Sequence, residues 1–252
     1  MFLFELLDLA HGFRKYFDVA PAVTPDLRRR AYEIRHRVYC EELGFEPVRP
    51  DRCERDAYDA RAEHVLVRSL KHDRFVACAR LVRVDPSDAA SELPVERACA
   101  ATIDRRRLDP AALDRRRIGE ISRLAIVSEF RRRNGEKHAA IAVSEADFGA
   151  VDLPRFPYIQ VALYLGTIAF AKRLGIETLF VLTEPRLAGH FAKLGVRIER
   201  IGGPVEHRGE RVPSVMTVGS IESNLPRSVR PLYELICSEV WSGVERGAAT
   251  VH

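Results

Sequence analysis

The chain has 252 residues, 46% of them hydrophobic, and its formal net charge at pH 7 is +4. This length and apolar content suffice for one large globular domain, and the small net charge argues against a general nucleic-acid-binding protein. The five cysteines lie far apart and lack metal-binding spacing. This pattern is typical of reduced thiols, so we expect a cytoplasmic protein with no metal site.

The N-terminal segment MFLFELLDLA predicts an amphipathic helix, because its apolar residues recur at helical spacing. The face comprises Phe2, Leu6, Leu9 and Phe13. Acidic residues interrupt the segment, which is therefore neither a signal peptide nor a membrane span. Peripheral membrane contact through this helix is left open. A second helix is predicted to begin at Thr24-Pro25-Asp26, with proline in the first helical position, and to end at Gly44.

A hairpin and a long connection are expected next. Residues 64–70 and 74–84 alternate as two strands joined by a turn at 71–73. Residues 85–117 are polar and interrupted by prolines, which predicts a long surface excursion with one short helix. Residues 118–127 follow as a strand.

The second half of the chain alternates helices with strands. Residues 158–174 are apolar nearly all round, which predicts a buried helix ending at Gly175. The other predicted elements are helices at 134–156 and 186–195 and strands at 178–183, 196–201 and 213–221. This order predicts an α/β (α+β) fold with a single mixed sheet flanked by helices. We assign residues 1–225 to one domain and residues 226–252 to a C-terminal helical extension.

The stretch IGEISRLAIVSEFRRR carries a charged pair inside an apolar strand. A salt bridge on a half-exposed strand is the simplest interpretation of Glu120 and Arg123. However, the flanking residues are apolar, and a charge in a central strand needs a partner or a purpose. Strict alternation would place the two side chains on opposite faces of the sheet, so both reach one cleft only through a bulge or a local twist.

Polar residues elsewhere form three smaller patterns. Arg35 and Tyr39 share a helix face, as solvated helix edges commonly do. Asp56 and Asp59 flank Tyr58 and could bind an ammonium group, although a polar loop is the plainer reading. Arg80 is the lone charge in an apolar strand and should pair with a carboxylate.

Three arginine triplets surround the strand at 118–127. They are Arg105–Arg107, Arg115–Arg117 and a third formed by Arg131, Arg132 and Arg133. Solvated charge is the default interpretation. Their repetition in loops that enter and leave one strand instead allows an anionic docking patch, which would suit an acidic carrier protein or a nucleotide phosphate.

Four stretches in this order resemble the acyl-homoserine-lactone synthase and N-acyl amino acid synthase branch of the GNAT superfamily. RHRVYCEELGF resembles the family's Arg-x-x-x-Phe and following Trp, and ERDAYD resembles its E-x-D-x-Y-D. ACARL resembles G-C-x-R-L, and GEISRLAI resembles W-E-L-S-R-F-A-V. The resemblance is closer still to acyltransferases associated with PEP-CTERM/exosortase systems, which share the lead-in F-x-V-A-x-x-x-T-P and the phrase VYCEELGFEP. It covers most of residues 13–220.

The resemblance implies a GNAT-like sheet with a V-shaped cleft for an acyl thioester between the strands at 118–127 and 178–183. It also implies an N-acyltransferase that moves a long-chain fatty acyl group from an acyl carrier protein or CoA thioester to the amine of an amino acid, without a further cofactor. The catalytic residues would be Glu120, as general base, and Ser122. The residues that would bind substrate are Arg35, Tyr39, Phe45, Asp56, Asp59, Arg80 and Arg123. Arg131, Arg132 and Arg133 would face the carrier.

This sequence departs from the family pattern at two positions. Tyr39 stands where the family has Phe, and Phe45 stands where it has Trp. In the lactone synthases these positions help to hold S-adenosylmethionine, so the departures favour an amino acid acceptor. Three alternatives stay open: a lactone synthase that uses S-adenosylmethionine, an acyltransferase acting on a polysaccharide precursor, and a non-catalytic module that binds acyl groups or their carrier.

Overall fold

The structure is a computed structural model that describes residues 9–85, 87–88, 90–131, 156–184 and 196–249. Its helices are α1 (Leu9–Tyr16), α2 (Pro25–His36), α3 (Pro94–Ala98), α4 (Tyr158–Arg173), α5 (Val218–Asn224) and α6 (Arg230–Ala249). Its strands are β1 (Phe17–Pro21), β2 (Ala62–Ser69), β3 (Arg74–Arg83), β4 (Ile118–Ile126), β5 (Thr178–Thr183), β6 (Glu199–Arg200), β7 (Val205–Glu206) and β8 (Glu210–Thr217). The helices predicted at 134–156 and 186–195 lie outside the described residues, apart from Phe156.

One mixed sheet organises the molecule, as the sequence predicts. Its strand order is β1-β2-β3-β4-β5-β8-β6, and β7 pairs with β8. Neighbours are antiparallel except β4 and β5, which run parallel. The two parallel strands pair only from Ile118 opposite Thr178 to Ile121 opposite Val181. Beyond that point β4 continues along β3 and β5 continues along β8, so a V-shaped gap opens between them.

A bulge in β4 resolves the alternation problem noted for Glu120 and Arg123. Arg80 of β3 lies opposite Ser122, whereas Cys78 lies opposite Ala125, so β4 holds one residue more than β3 over this stretch. Arg123 adopts a φ of 52° at the bulge, in the left-handed region. The extra residue turns the following side chains, so that Glu120 and Arg123 reach the same cleft.

Two predicted helices occupy their expected places. Thr24 caps α2 by accepting the Leu27 N–H, and Pro25 stands in the first turn. The chain then tightens into a π-helical turn at Arg37–Glu42, and Gly44 follows with a φ of 63°. Helix α4 is buried on nearly every face, and Gly175 ends it with a φ of 69°.

The ends of the chain join the core. Leu9 and Phe13 of α1 are buried, as their predicted apolar face requires, while Phe2 and Leu6 lie outside the described residues. Phe13 packs against Phe17 and Tyr158. Helix α6, in the C-terminal extension, lies against α4 and β1 and is buried at Leu232, Ile236 and Val240. Among the described helices, none is both long and apolar enough to cross a membrane.

Three elements differ from the sequence prediction. The strand expected at 213–221 ends at Thr217, whose hydroxyl accepts the Ser220 N–H and so begins α5. The strand expected at 196–201 is reduced to Glu199–Arg200. Strand β1 was not predicted, because five residues that alternate Phe, Val and Pro give too short a pattern.

The long connection at 85–117 is not simply a surface excursion. It contains the expected short helix, α3, but it also carries Leu93, Val95, Cys99 and Ile103 into a second hydrophobic cluster, which they share with residues of the sheet. These apolar residues are spread over eleven positions among polar neighbours, so composition alone concealed them. Helix α3 is thereby fixed against the V-shaped gap.

Candidate active site

A cleft of about 490 Å³ fills the gap between β4 and β5. Ile121 to Leu124 of β4 form one side, and Val181 to Glu184 at the end of β5 form the other. Helix α3 closes one wall, and the β7–β8 hairpin closes another. The deeper lining is mainly apolar and includes Tyr164, Ile198 and Met216. This shape suits an extended apolar ligand that enters between the strands.

A network of buried charges supports the floor of the cleft. Arg35 is fully buried on α2, and its guanidinium donates to Glu54 and to both oxygens of Asp59, at 2.6 and 3.1 Å. Arg80 donates to Asp59 at 2.9 Å and to Asp56 at 2.7 Å. Because every member has a partner, the desolvation of these charges is compensated.

The network continues to the cleft surface through β4. Arg123 donates to Asp56 at 3.1 Å and to Glu54 at 3.4 Å, while Arg80 also donates to the Ser122 hydroxyl at 3.2 Å. Three arginines therefore face three carboxylates. Burial opposes ionisation of Asp59, but the hydrogen bond and charge of Arg35 outweigh it and hold the pKa of Asp59 well below its usual range. The pKa of Asp56 is lowered by Arg80 in the same way, against the effect of burial.

Glu120 lies apart from this network, in the middle of the sheet. Its side chain is 3% exposed, and burial raises its pKa to about 7. The Val95 N–H of α3 donates to its Oε2 at 2.6 Å, which pulls the pKa in the opposite direction, as do the charges of Arg80 and Arg123. A carboxyl group that titrates near neutral pH is suited to exchanging protons with a ligand in the cleft.

Tyr39 and Phe45 form an aromatic edge beside the network. The Tyr39 hydroxyl donates to the Leu124 carbonyl at 2.8 Å, next to the β4 bulge. The guanidinium groups of Arg123 and Arg208 each lie 5.8 Å from the centre of the Tyr39 ring. The Phe45 N–H donates to the Tyr39 carbonyl at 2.7 Å, so the π-helical turn brings both rings to the cleft.

The β7–β8 hairpin adds cleft residues that the sequence analysis missed. His207, Arg208 and Arg211 line the cleft, and Gly209 forms the tight turn with a φ of 95°. Arg208 pairs with Glu46, and Arg211 pairs with Glu184 at 2.5 Å. Burial, together with Arg123 and Arg211, lowers the pKa of His207, so its imidazole stays neutral at pH 7. The sequence HRGER contains these residues, but it has no hydrophobic periodicity that would have indicated a strand or a site.

The structure separates the predicted site residues into two groups. Those that line the cleft are Tyr39, Phe45, Asp56, Arg80, Glu120, Ser122 and Arg123. Arg35 and Asp59 lie beneath its floor, where each is held by neighbouring charges. Arg35 and Asp59 therefore do not line the cleft, and a direct contact of either with a substrate stays a prediction. Their contacts instead make them supports for Asp56 and Arg80.

Most described arginines of the triplets have partners within the protein. Arg115 donates to both Glu96 oxygens at 2.8 Å and to two backbone carbonyls, which anchors α3. Arg105 pairs with Asp109 at 2.6 Å, and Arg117 pairs with Glu177. Arg131 pairs with Glu42, while Arg132 and Arg133 lie outside the described residues. These pairs give the first two triplets local structural roles.

Comparison with known proteins agrees with this architecture. Residues 34–140 match the family model described as an acetyltransferase (GNAT) domain. No curated protein matches the chain. The N-acyl amino acid synthase FeeM, from uncultured soil microbes, superposes with a TM-score of 0.52 at 13% identity, covering 83% of this chain and 94% of FeeM.

Two acyl-homoserine lactone synthases share the fold to the same degree. LasI has a TM-score of 0.53 at 16% identity, and the match covers 83% of this chain and 95% of LasI. BjaI is a CoA-dependent enzyme solved with SAM and isopentyl-CoA. It has a TM-score of 0.54 at 18% identity, and the match covers 82% of this chain and 86% of BjaI. The predicted GNAT-like fold is confirmed, and the domain match together with this fold supports an acyltransferase enzyme. The association with PEP-CTERM/exosortase systems stays a prediction.

Proposed function

We propose that the protein is an N-acyltransferase that transfers a long-chain acyl group from an acyl carrier protein or CoA thioester to the amine of an amino acid. The observation that carries this proposal is Glu120: a buried carboxyl group with a pKa of about 7, at the point where β4 and β5 separate. Structural neighbours that handle acyl groups include the N-acyl amino acid synthase FeeM.

The reaction needs a proton acceptor, because only the free amine attacks a thioester. Glu120 takes a proton from the acceptor's ammonium group, directly or through a water molecule, and the amine nitrogen then bonds to the acyl carbon. The carbon–sulfur bond breaks, and the leaving thiolate takes up a proton to become a thiol. A positioned general base contributes about 10²–10⁴-fold to such a step.

The other cleft residues fit supporting roles. The apolar side chains between the strands accommodate the acyl chain. Beyond Ile121, the β4 backbone no longer pairs with β5, and its amides can polarise the thioester carbonyl. The ionised Asp56 faces the cleft at the edge of the network and attracts the ammonium group of the acceptor.

A second candidate is an acyl-homoserine lactone synthase that uses S-adenosylmethionine. The observation that favours it is the fold shared with LasI and BjaI. Its acceptor is also an amine with a carboxylate, so the same base and network would serve. The aromatic edge of Tyr39 and Phe45 would then face the adenosyl group.

One assay separates the two candidates. Purified protein is incubated with an acyl thioester and, in parallel, with free amino acids or with S-adenosylmethionine, and the products are identified by mass spectrometry. We expect an N-acyl amino acid and no requirement for S-adenosylmethionine. Lactone formation from S-adenosylmethionine, with no amide from any amino acid, supports the second candidate. Binding of the thioester without any product leaves the chain as an acyl-binding module.

A further inference from the structure

The cleft contains five arginines, and four of them already face carboxylates. Arg80 and Arg123 contact Asp56. Arg208 pairs with Glu46, and Arg211 pairs with Glu184. The fifth is Arg97, an exposed residue of α3 that also lines the cleft. Among the parts of the chain that the structure describes, no carboxylate lies within ion-pair distance of Arg97.

Helix α3 fixes Arg97 close to the proposed base. The Val95 N–H contacts the Glu120 carboxylate at 2.6 Å, and Arg97 follows two residues later, about 3 Å further along the helix axis. Glu96, between them, is held by the two-pronged contact with Arg115, and its Oε2 also accepts the Leu93 N–H at 2.8 Å. The position of Arg97 relative to Glu120 is thus set by a braced element.

Glu120 and Arg97 thus both line the cleft, one as a proton acceptor and the other as a cation without a carboxylate partner among the described residues. In an amino acid, a single carbon separates the ammonium group from the carboxylate. A molecule whose ammonium group reaches Glu120 therefore carries its carboxylate a few ångströms away, within reach of an arginine side chain on α3. Arginine binds carboxylates through charge-assisted, two-pronged hydrogen bonds.

We propose that Arg97 binds the carboxylate of the acceptor, which makes the acceptor an amino acid rather than a neutral amine. This inference rests on the proposed function and specifies its acceptor class. Arg35 and Arg123 are less suited to this contact, because Arg35 is buried against Glu54 and Arg123 is already engaged by Glu54 and Asp56.

The test compares two acceptors that differ in one charge. Amide formation from an acyl thioester is measured with a free amino acid and with the corresponding amino acid amide, in which a neutral carboxamide replaces the carboxylate. The proteins are the wild type, Arg97→Gln and Arg97→Lys. Arg227→Gln is the matched control, because Arg227 is an exposed arginine outside the cleft. Thermal melting and thioester binding are recorded for each.

For Arg97→Gln we expect the KM for the amino acid to rise about 10- to 100-fold, the usual effect of one charge-assisted contact. The KM for the amide, the thioester affinity and the melting temperature should stay unchanged. Arg97→Lys should recover part of the loss, and Arg227→Gln should show none.

Two results overturn the inference while leaving the proposed function intact: an unchanged KM for the amino acid, or an equal loss for the acid and the amide. If no variant and no wild-type preparation forms an amide with either acceptor, the proposed function fails and this inference fails with it.

Discussion

At the scale of single residues, the ionisation of Glu120 is set by opposing influences. Burial in the central sheet disfavours the carboxylate, while the Val95 N–H and the nearby arginines favour it. The resulting pKa of about 7 lies between that of a free carboxyl group and that of an amine. Glu120 is therefore a stronger base than a solvent-exposed glutamate, and its carboxylate form is still populated at neutral pH.

Replacing Glu120 by Gln should lower kcat/KM by about 10²-fold or more, since the isosteric amide cannot accept a proton. In the wild type, kcat/KM should rise as the pH increases through about 7, because the deprotonated form is active. The inflection near pH 7 should vanish in Glu120→Gln, whose residual rate should follow only the fraction of the acceptor that is free amine. Initial rates measured from pH 5.5 to 8.5 test both points. Glu63→Gln, on β2 outside the cleft, is the control and should keep the wild-type profile. A folded Glu120→Gln protein with normal turnover removes Glu120 from the mechanism.

In the buried ion network, three arginines balance three carboxylates. Removing one charge therefore leaves its partners buried without compensation. Arg35→Gln leaves Glu54 and Asp59 buried without their principal partner, which should destabilise the fold by about 3–5 kcal/mol. Arg29→Gln on the same helix is the control, since Arg29 is exposed and pairs with Glu33 at the surface. It should change stability little. Urea unfolding of both variants decides the matter, and equal stabilities would show that Arg35 does not hold the network together.

The candidate site was predictable where residues belong to periodic elements. The pairing of Arg80 with carboxylates followed from its position in an apolar strand, and both Asp56 and Asp59 are its partners. Arg97 and His207 were not predicted. They lie on a short helix and a hairpin whose positions depend on distant packing, and neither has a periodic sequence pattern that would mark it.

At the scale of elements, the parallel pair β4 and β5 determines where the cleft lies. Helix α4 connects the two strands and packs across β2 and β3, where Gly166 faces Val65. A Cβ atom on Gly166 would lie 2.7 Å from Val65 Cγ1, so the small residue permits the close approach of helix and sheet.

Gly166→Ala should therefore destabilise the protein, by about 1–3 kcal/mol, the usual effect of overpacking a core. Gly219→Ala in α5 is the matched control. Apart from its chain neighbours and the backbone of its own helix, no described atom lies within 4 Å of the position that a Cβ atom on Gly219 would take. The substitution should therefore stabilise the helix by about 0.4–1 kcal/mol. Chemical denaturation of the two variants should give opposite signs. A stabilising Gly166→Ala would mean that α4 and β2 have room between them for an added methyl group.

The strands and helices with a clear hydrophobic pattern, either alternating or continuously apolar, were correctly predicted, notably β2, β3, β4, β5 and α4. The need for a bulge in β4 was predicted, but its position was not, because that position depends on the register with β3. The boundary at Thr217 was missed, since Val215, Met216 and Val218 suit a strand and a helix equally well. There a single side-chain cap decides where the strand stops.

At the scale of the whole molecule, the buried apolar residues form two hydrophobic clusters. The larger includes α1, α4 and α6, and the smaller is filled by the connection at 85–117. The C-terminal helix α6 thus contributes to the main core, although the family resemblance did not extend to it. Trp241 of this helix donates to the Ala169 carbonyl of α4 at 2.9 Å.

Ile236→Ala should therefore lower the free energy of unfolding of the entire protein by about 2–5 kcal/mol, as for other buried branched side chains. Ser238→Ala, two positions along the same helix but exposed, should have little effect. Differential scanning calorimetry is the measurement, and a single transition shifted by Ile236→Ala is expected. If α6 melted in a separate transition, the C-terminal extension would be an independent unit.

On the α3 side, the contact with Glu120 is made by the main-chain N–H of Val95 and by none of the helix's side chains. Replacing the exposed side chains of α3, those of Arg97 and Ala98, should thus leave that hydrogen bond in place, because Val95 and Glu96 still anchor the helix. The arginines and carboxylates of the network also lie outside this helix. Substitutions on this wall of the cleft can consequently change which acceptor binds, while the hydrogen bond to the proposed base Glu120 is retained. A directed-evolution library confined to residues 97 and 98, the exposed positions of α3, would exploit the same separation.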